Sequence, residues 1–162
     1  MHCPLAGEHQ VQNALTATVA LHQLGFGASG ISQTKWPGRL ERVRERPEII
    51  LDGAHNIAGT QALASYIERF YFGRRIWIVY GIMRDKAVRE MTEMLFPLAE
   101  RVVATAPDNS RALPPDQIPG DNVEVAPTVP EALDVIRREA FPTDAVFITG
   151  SLFLVGEARA LL

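Results

Sequence analysis

Cysteine is almost absent from this chain of 162 residues, where Cys3 is the only one. No intramolecular disulfide can form, and no zinc site built on paired cysteines is available. Lysine is nearly as scarce, with only Lys35 and Lys86. Trp36 and Ala87 follow them and break the G-x-x-x-x-G-K-[ST] pattern, so the chain holds no P-loop of its own. No G-x-S-x-G elbow occurs, which argues against a hydrolase triad drawn from Ser151, His55 and Asp52. Nowhere do ~18 apolar residues run together, as a membrane-spanning helix requires. The opening residues lack a basic stretch followed by an apolar one, so no secretory leader is expected and the cytoplasm is the expected compartment. Lys+Arg number 16 against 19 for Asp+Glu, a net charge of −3 that gives no reason to expect nucleic acid or an anionic membrane as partner. What is present is globular: 47% hydrophobic and 22% charged residues, enough for one domain with a real core.

The hydrophobic pattern divides the chain. His9 to Leu24 reads as a helix with Val11, Leu15, Thr18 and His22 on one side, stopped by Gly25 and Gly27. Beyond the turn-like Trp36-Pro37-Gly38-Arg39, short apolar runs alternate with helical stretches. Strands are expected at Leu40–Val43, Glu48–Leu51, Ile76–Tyr80, Arg101–Thr105, Val123–Val125 and Ala145–Thr149. Helices are expected after Asn56 (with Leu63, Ile67 and Phe70 inward), after Asp85 as cap, after Thr128, and from Ser151 to Leu162. The alternation predicts an α/β fold, a Rossmann-like, mostly parallel sheet with helices on both faces. The first helix stands apart from that pattern, and the glycine-rich stretch after it is the natural boundary.

Several polar clusters compete as sites. Gly25-Phe26-Gly27-Ala28-Ser29-Gly30 spells G-x-G-x-x-G, yet a helix precedes it where the dinucleotide fingerprint needs a strand, so it reads as a hinge. Leu51-Asp52-Gly53-Ala54-His55-Asn56 falls where a buried strand ends and a helix begins, the edge at which open α/β sheets bind ligands. Asp52 could accept from ribose hydroxyls, Gly53 could admit a ligand close to the backbone, and His55 could move a proton. The same residues also serve a plain helix cap, and spacing alone does not choose. Arg39 could clamp a phosphate or sit in a surface turn. Ser151 could help hold an anion at a helix N-terminus or merely cap it. Arg84 and Lys86 beside Asp85 read as a solvated cluster, and His9 and Asn13 as a polar helix face.

Together these stretches resemble a known family. Gly7-Glu8-His9-Gln10-Val11-Gln12-Asn13-Ala14, Trp36-Pro37-Gly38-Arg39-Leu40-Glu41, Asp52-Gly53-Ala54-His55-Asn56, Gly81 to Lys86, and Gly150-Ser151-Leu152 with Val155-Gly156-Glu157 are similar, in order, to motifs of the folylpolyglutamate synthase/dihydrofolate synthase branch of the Mur ligases. The resemblance implies the carboxyl-terminal part of an ATP-dependent amide ligase of folate biosynthesis and one-carbon metabolism. In that family ATP activates a folate carboxylate as an acyl phosphate, which the amine of L-glutamate attacks. Carried over, Asn13 meets the adenine, Arg39 the phosphates and Asp52 the ribose, while His55 and Ser151 match positions linked to glutamate binding or catalysis. ATP and Mg2+ are the implied cofactors, with the P-loop and the magnesium ligands expected in an amino-terminal ATPase domain that these residues do not include. On this resemblance residues 1–27 correspond to the last helix of that ATPase domain, 28–35 to a linker and 36–162 to the carboxyl-terminal domain. The competing expectation is a non-catalytic α/β module that binds a nucleotide or a partner.

Overall fold

The computed structural model describes residues 2–162, so Met1, the first residue of the expected segment 1–27, lies outside the described residues. In chain order the elements are α1 (Glu8–Gln23), β1 (Glu41–Glu45), β2 (Glu48–Leu51), α2 (Ile57–Phe70), β3 (Ile76–Tyr80), α3 (Val88–Leu95), β4 (Arg101–Ala104), β5 (Val123–Val125), α4 (Val129–Glu139), β6 (Ala145–Thr149) and α5 (Leu152–Leu161).

The strands that read as unbroken apolar runs, β3 and β6, are buried at every position. They lie side by side at the centre of a six-stranded sheet ordered β1-β2-β6-β3-β4-β5. All pairs from β2 to β5 are parallel, and only β1 on the outer edge runs antiparallel, with a bulge between Arg42 and Arg44. A sheet of this kind needs both faces covered. Side chains alternate accordingly. Ile50, Ile78, Tyr80 and Phe147 pack beneath α2 and α3, whereas Ile49, Leu51, Trp77, Val79, Val146 and Ile148 pack beneath α4 and α5.

Local signals set most helix ends. Asn56 accepts from the Gly59 N–H at 2.8 Å, Thr128 from Glu131 at 3.4 Å and Ser151 from Leu154 at 3.1 Å. Each is the N-cap its sequence position suggests. At the end of α1 the Gly25 N–H reaches the His22 carbonyl and the Phe26 N–H the Leu21 carbonyl, a Schellman closure that places Gly25 at φ 78°. Three expectations change. Ala87, not Asp85, precedes α3 and it makes no side-chain cap, because the 84–86 segment is tied across to the 111–112 segment instead. β1 begins at Glu41 rather than Leu40, whose φ of 47° takes it out of the strand. Phe70 faces solvent at the end of α2.

Helix α1 inverts its expected polarity. Its buried residues are Gln10 and Ala14, while Val11 and Leu15 are each about half exposed. Its side-chain ties to the rest of the fold include an ion pair between Glu8 and Arg69 of α2. So small a buried face lends little protection from local opening. Amide exchange across Glu8–Gln23 is therefore expected to finish well before that of Ile76–Tyr80. Equal protection of both segments in a proven monomer would make α1 an integral part of the sheet domain.

Candidate functional site

The site begins with a change of side. The chain leaving β2 enters α2 on one face of the sheet, and the chain leaving β6, its neighbour, enters α5 on the other. Divergent loops of this kind open a crevice at the carboxyl edge of a parallel sheet. The two loops are stitched by a bond from the Gly150 N–H to the Ala54 carbonyl at 3.1 Å.

Asp52 closes β2 and is 5% exposed. One carboxylate oxygen accepts the Leu40 N–H at 3.0 Å and the other the Ala54 N–H at 2.9 Å. The first bond holds the Trp36–Glu41 turn against the sheet, helped by the Gly53 N–H donating to the Gly38 carbonyl at 2.8 Å. Glu41 completes the turn by accepting from the Gly38 N–H at 2.8 Å and from Arg159 of α5 at 3.1 Å. Gly38 sits at φ 71° with Val155 packed where a side chain would go, so only glycine suits that position. Gly53 is small for a different reason than the sequence suggested. The space above it is filled by Leu152 and by the Arg39 guanidinium, whose Nη1 lies 3.0 Å from where a Cβ would stand. The close approach is made by the protein itself.

That packing leaves Arg39 half-buried at the rim, and among the described residues its guanidinium makes no ion pair. Two clefts meet at it. A smaller one, about 190 Å3, is lined by His9, Gln10, Asn13, Arg39, Asp52, His55 and Asn56 among others. A larger and mainly apolar one, about 350 Å3, lies between α1 and the turn and is walled by Cys3, Leu5, Ala14, Ala17, Ile31 and Trp36. Gln10, Asn13 and Arg39 belong to both. In the smaller cleft His55 Nδ1 stands 2.7 Å from the Gly53 carbonyl, which can only accept, so Nδ1 carries a proton and Nε2 is the nitrogen left for a ligand. Of the five residues singled out, the structure thus brings Asn13, Arg39, Asp52 and His55 to one place. Ser151 is buried, caps α5 and lines neither cleft. The Gly25–Gly30 stretch meets nothing at its glycines and holds no ligand geometry. Asp85 is paired with Lys86 and Arg111 at the surface.

The Mur ligase, glutamate ligase domain family model matches residues 38–152, most of the chain and every strand of the sheet. The chain belongs to this family. Within it, the dihydrofolate synthase/folylpolyglutamate synthase of Mycobacterium tuberculosis is 31% identical over 99% of this chain and 40% of its own length. A probable bifunctional folylpolyglutamate synthase/dihydropteroate synthase of Haloferax volcanii is 34% identical over 96% of this chain and 20% of its own. Among solved structures, the Mycobacterium tuberculosis folylpolyglutamate synthase complexed with ADP and AMPPCP superimposes with a TM-score of 0.82 at 30% identity, covering 99% of this chain and 41% of that one. The Thermotoga maritima folylpolyglutamate synthase gives 0.76 at 29% identity, covering 99% and 40%. This glutamate ligase domain chain therefore spans less than half the length of these relatives. The fold expectation, a mostly parallel α/β sheet flanked by helices, stands in full.

Sequence reasoning passed over Gln10 and Leu40. Gln10 entered only as a letter of the Gly7–Ala14 motif, on a helix whose apolar stripe looked like the inner face.

Burial raises the Asp52 carboxyl above its ordinary value of 3.8, against the opposing pull of the Leu40 and Ala54 N–H groups and the charges of Arg39 and His9. With a raised folded value, the folded chain binds more protons than the unfolded one from about pH 4 upward, so this group's contribution declines as pH rises through the folded value. Asp52→Asn turns one acceptor into a donor facing a buried N–H, which costs about 1–3 kcal/mol, and Asp52→Ala strands both N–H groups and costs more. Urea titrations are expected to show that order, with the gap between wild type and Asp52→Ala narrowing as pH rises. A gap that widens would contradict the burial argument.

Proposed function

We propose that this chain supplies the nucleotide-covering part of an ATP-dependent amide ligase that adds L-glutamate to a folate. The observation that carries this reading is the guanidinium of Arg39, half-buried, in no ion pair among the described residues, and placed where an apolar cleft meets a polar one. An unpaired cation at such a junction suits an anionic ligand with an aromatic end, which describes a nucleotide. In this assignment the purine lies in the larger cleft against Trp36 with Asn13 at its polar edge, Asp52 stands on the ribose side, and Arg39 faces the phosphates. Asp52 keeps lone pairs beyond the two that its backbone bonds occupy.

The reaction this supports has two steps. A folate carboxylate oxygen attacks the terminal phosphorus of ATP, forming an acyl phosphate as ADP leaves. The amine of L-glutamate then attacks the acyl carbon, the C–O bond to phosphate breaks, and the amine proton passes to a base. Arg39 lies where negative charge is to be balanced in the first step. His55, with Nε2 unprotonated when neutral, suits the proton in the second. Ser151 is the weaker geometric candidate, since its oxygen already accepts a bond as a cap, although its hydroxyl proton can still reach an anion at the start of α5.

Magnesium does not fit these residues: among the described residues no three His, Cys, Asp or Glu side chains come together to hold a metal ion. With no P-loop in the sequence either, the β- and γ-phosphates and the metal fall to a companion ATPase domain. Residues 1–27 are then read as that domain's last helix, 28–35 as the hinge and 36–162 as the cover. No helix among the described residues is long and apolar enough to cross a membrane. We place the reaction in the cytoplasm, with ATP, L-glutamate and a folate as small-molecule partners.

The chain alone, given ATP, magnesium, a reduced folate and glutamate, is expected to release no ADP above background. Folate-dependent turnover by it would overturn the division of labour. In a complete enzyme carrying this domain, Arg39→Ala is expected to weaken apparent ATP affinity about tenfold or more, the value of a lost charge-assisted hydrogen bond. Arg39 makes no ion pair among the described residues, so the Tm should move little, and an unchanged ATP affinity would sink the assignment.

A further inference from the structure

The last helix holds the turn that carries Arg39. Leu152, Val155 and Arg159 recur at three- and four-residue spacing, so they share one face of α5. Val155 Cγ1 lies 2.9 Å from where a Cβ on Gly38 would stand, and Leu152 Cδ2 4.0 Å. Leu152 also shares the space above Gly53 with the Arg39 guanidinium. The remaining residue of that face acts by charge. Arg159 Nε shares its N–H between the two carboxylate oxygens of Glu41, at 3.1 and 3.3 Å. Glu41 Oε2 in turn accepts the Gly38 N–H at 2.8 Å.

The turn is thus locked from two sides. The inner lock, Asp52 on the Leu40 N–H, is buried and makes no use of α5. The outer lock is Glu41, a long side chain that is 23% exposed and open to competition from water. Such a carboxylate stays on one backbone N–H only when its rotation is restricted, and a donor centred on both oxygens restricts it. Arg159 is itself about half exposed, where an ion pair adds little to stability. Its effect is geometric. Gly38 at φ 71° and Leu40 at φ 47° flank Arg39, and backbone of this kind keeps its shape only where its surroundings over-determine it. Neither Glu41 nor Arg159 lines either cleft.

Resting on the nucleotide assignment above, we propose that Arg159 is a positioning residue for Arg39. Through Glu41 it pins the Gly38 N–H and so sets the direction from which Arg39 meets the phosphates, without touching the ligand.

The test uses the full chain, labelled with 15N and titrated with adenosine and with ATP, with the Arg39 signals followed. The ratio of the two affinities isolates what the phosphates contribute. Wild type is expected to prefer ATP by about tenfold or more, the worth of one charge-assisted hydrogen bond, and Arg39→Ala to bring the two near parity. Arg159→Ala should weaken ATP about threefold, part of that bond's worth, and leave adenosine unchanged. Its Tm should move little. Glu41→Ala breaks the link from the other end and should give the same ratio, whereas Arg159→Lys keeps a donor and should recover most of the preference. In the Arg39→Ala background, Arg159→Ala should cost nothing further, because both act through one contact.

An equal loss for both ligands would make Arg159 a packing residue and overturn the proposal. So would a loss for ATP that persists in the Arg39→Ala background, since the Arg159 charge would then act on the phosphates at a distance. Should Arg159→Ala fail to fold, Glu41→Ala decides, because an unchanged ratio there is incompatible with a pinned turn. If Arg39→Ala leaves the ratio at its wild-type value, the phosphate role of Arg39 falls and the positioning role with it. If Arg39→Ala abolishes the preference while the Arg159 and Glu41 variants keep it, only the positioning role is lost.

Discussion

One buried carboxylate holds this site together. Asp52 stands at the end of β2 and gives one oxygen to a backbone N–H on each side, Leu40 from the preceding turn and Ala54 from the loop that follows. Those N–H groups would otherwise be buried without partners, an arrangement that costs more than the bonds themselves gain. Everything at the rim inherits its position from that constraint. Leu40 is held at φ 47°, Gly38 at φ 71°, and the residue between them, Arg39, is aimed over Gly53 into the junction of two clefts. The helix-cap and ligand-site accounts of this segment turn out to divide by residue. Asn56 caps α2, whereas Asp52 organises the turn from inside.

The sheet supplies the second constraint. Placing β6 between β2 and β3 sends neighbouring loops to opposite faces, and the carboxyl edge opens as a result. Covering both faces requires two apolar clusters, one under α2 and α3 and one under α4 and α5. With the sheet buried on both sides, the recognition groups are confined to the edge and to α1. The edge offers a cation, a histidine and amides, and among the described residues no cluster of metal-ligating side chains.

Helix α1 shows why a hydrophobic stripe alone misleads. Val11 and Leu15 recur at helical spacing, yet Gln10 and Ala14 are the residues turned inward. A buried amide is tolerated when its hydrogen bonds are met, and Gln10 has a partner at each end. The apolar face that results is a surface of the domain, while the polar face shapes the clefts.

By itself the sequence determined the elements whose causes are local. β-branched runs make β3 and β6, and Asn56, Thr128 and Ser151 cap the helices that follow them, because each of these effects acts within a few residues. The family motifs were legible for the same reason, being short and contiguous. Only the tertiary structure decided what depends on distant partners. Asp85 loses its cap because the 84–86 segment bonds to the 111–112 segment, and Gly53 is small because Leu152, from the last helix, lies over it. Asp52 works as an organiser through Leu40, twelve residues earlier, and feels the charge of Arg39, which forms no ion pair among the described residues. Gln10 becomes a polar core residue only once α1 lies against the turn. Burial and bond polarity are properties of contacts between segments, and no spacing within one segment encodes them.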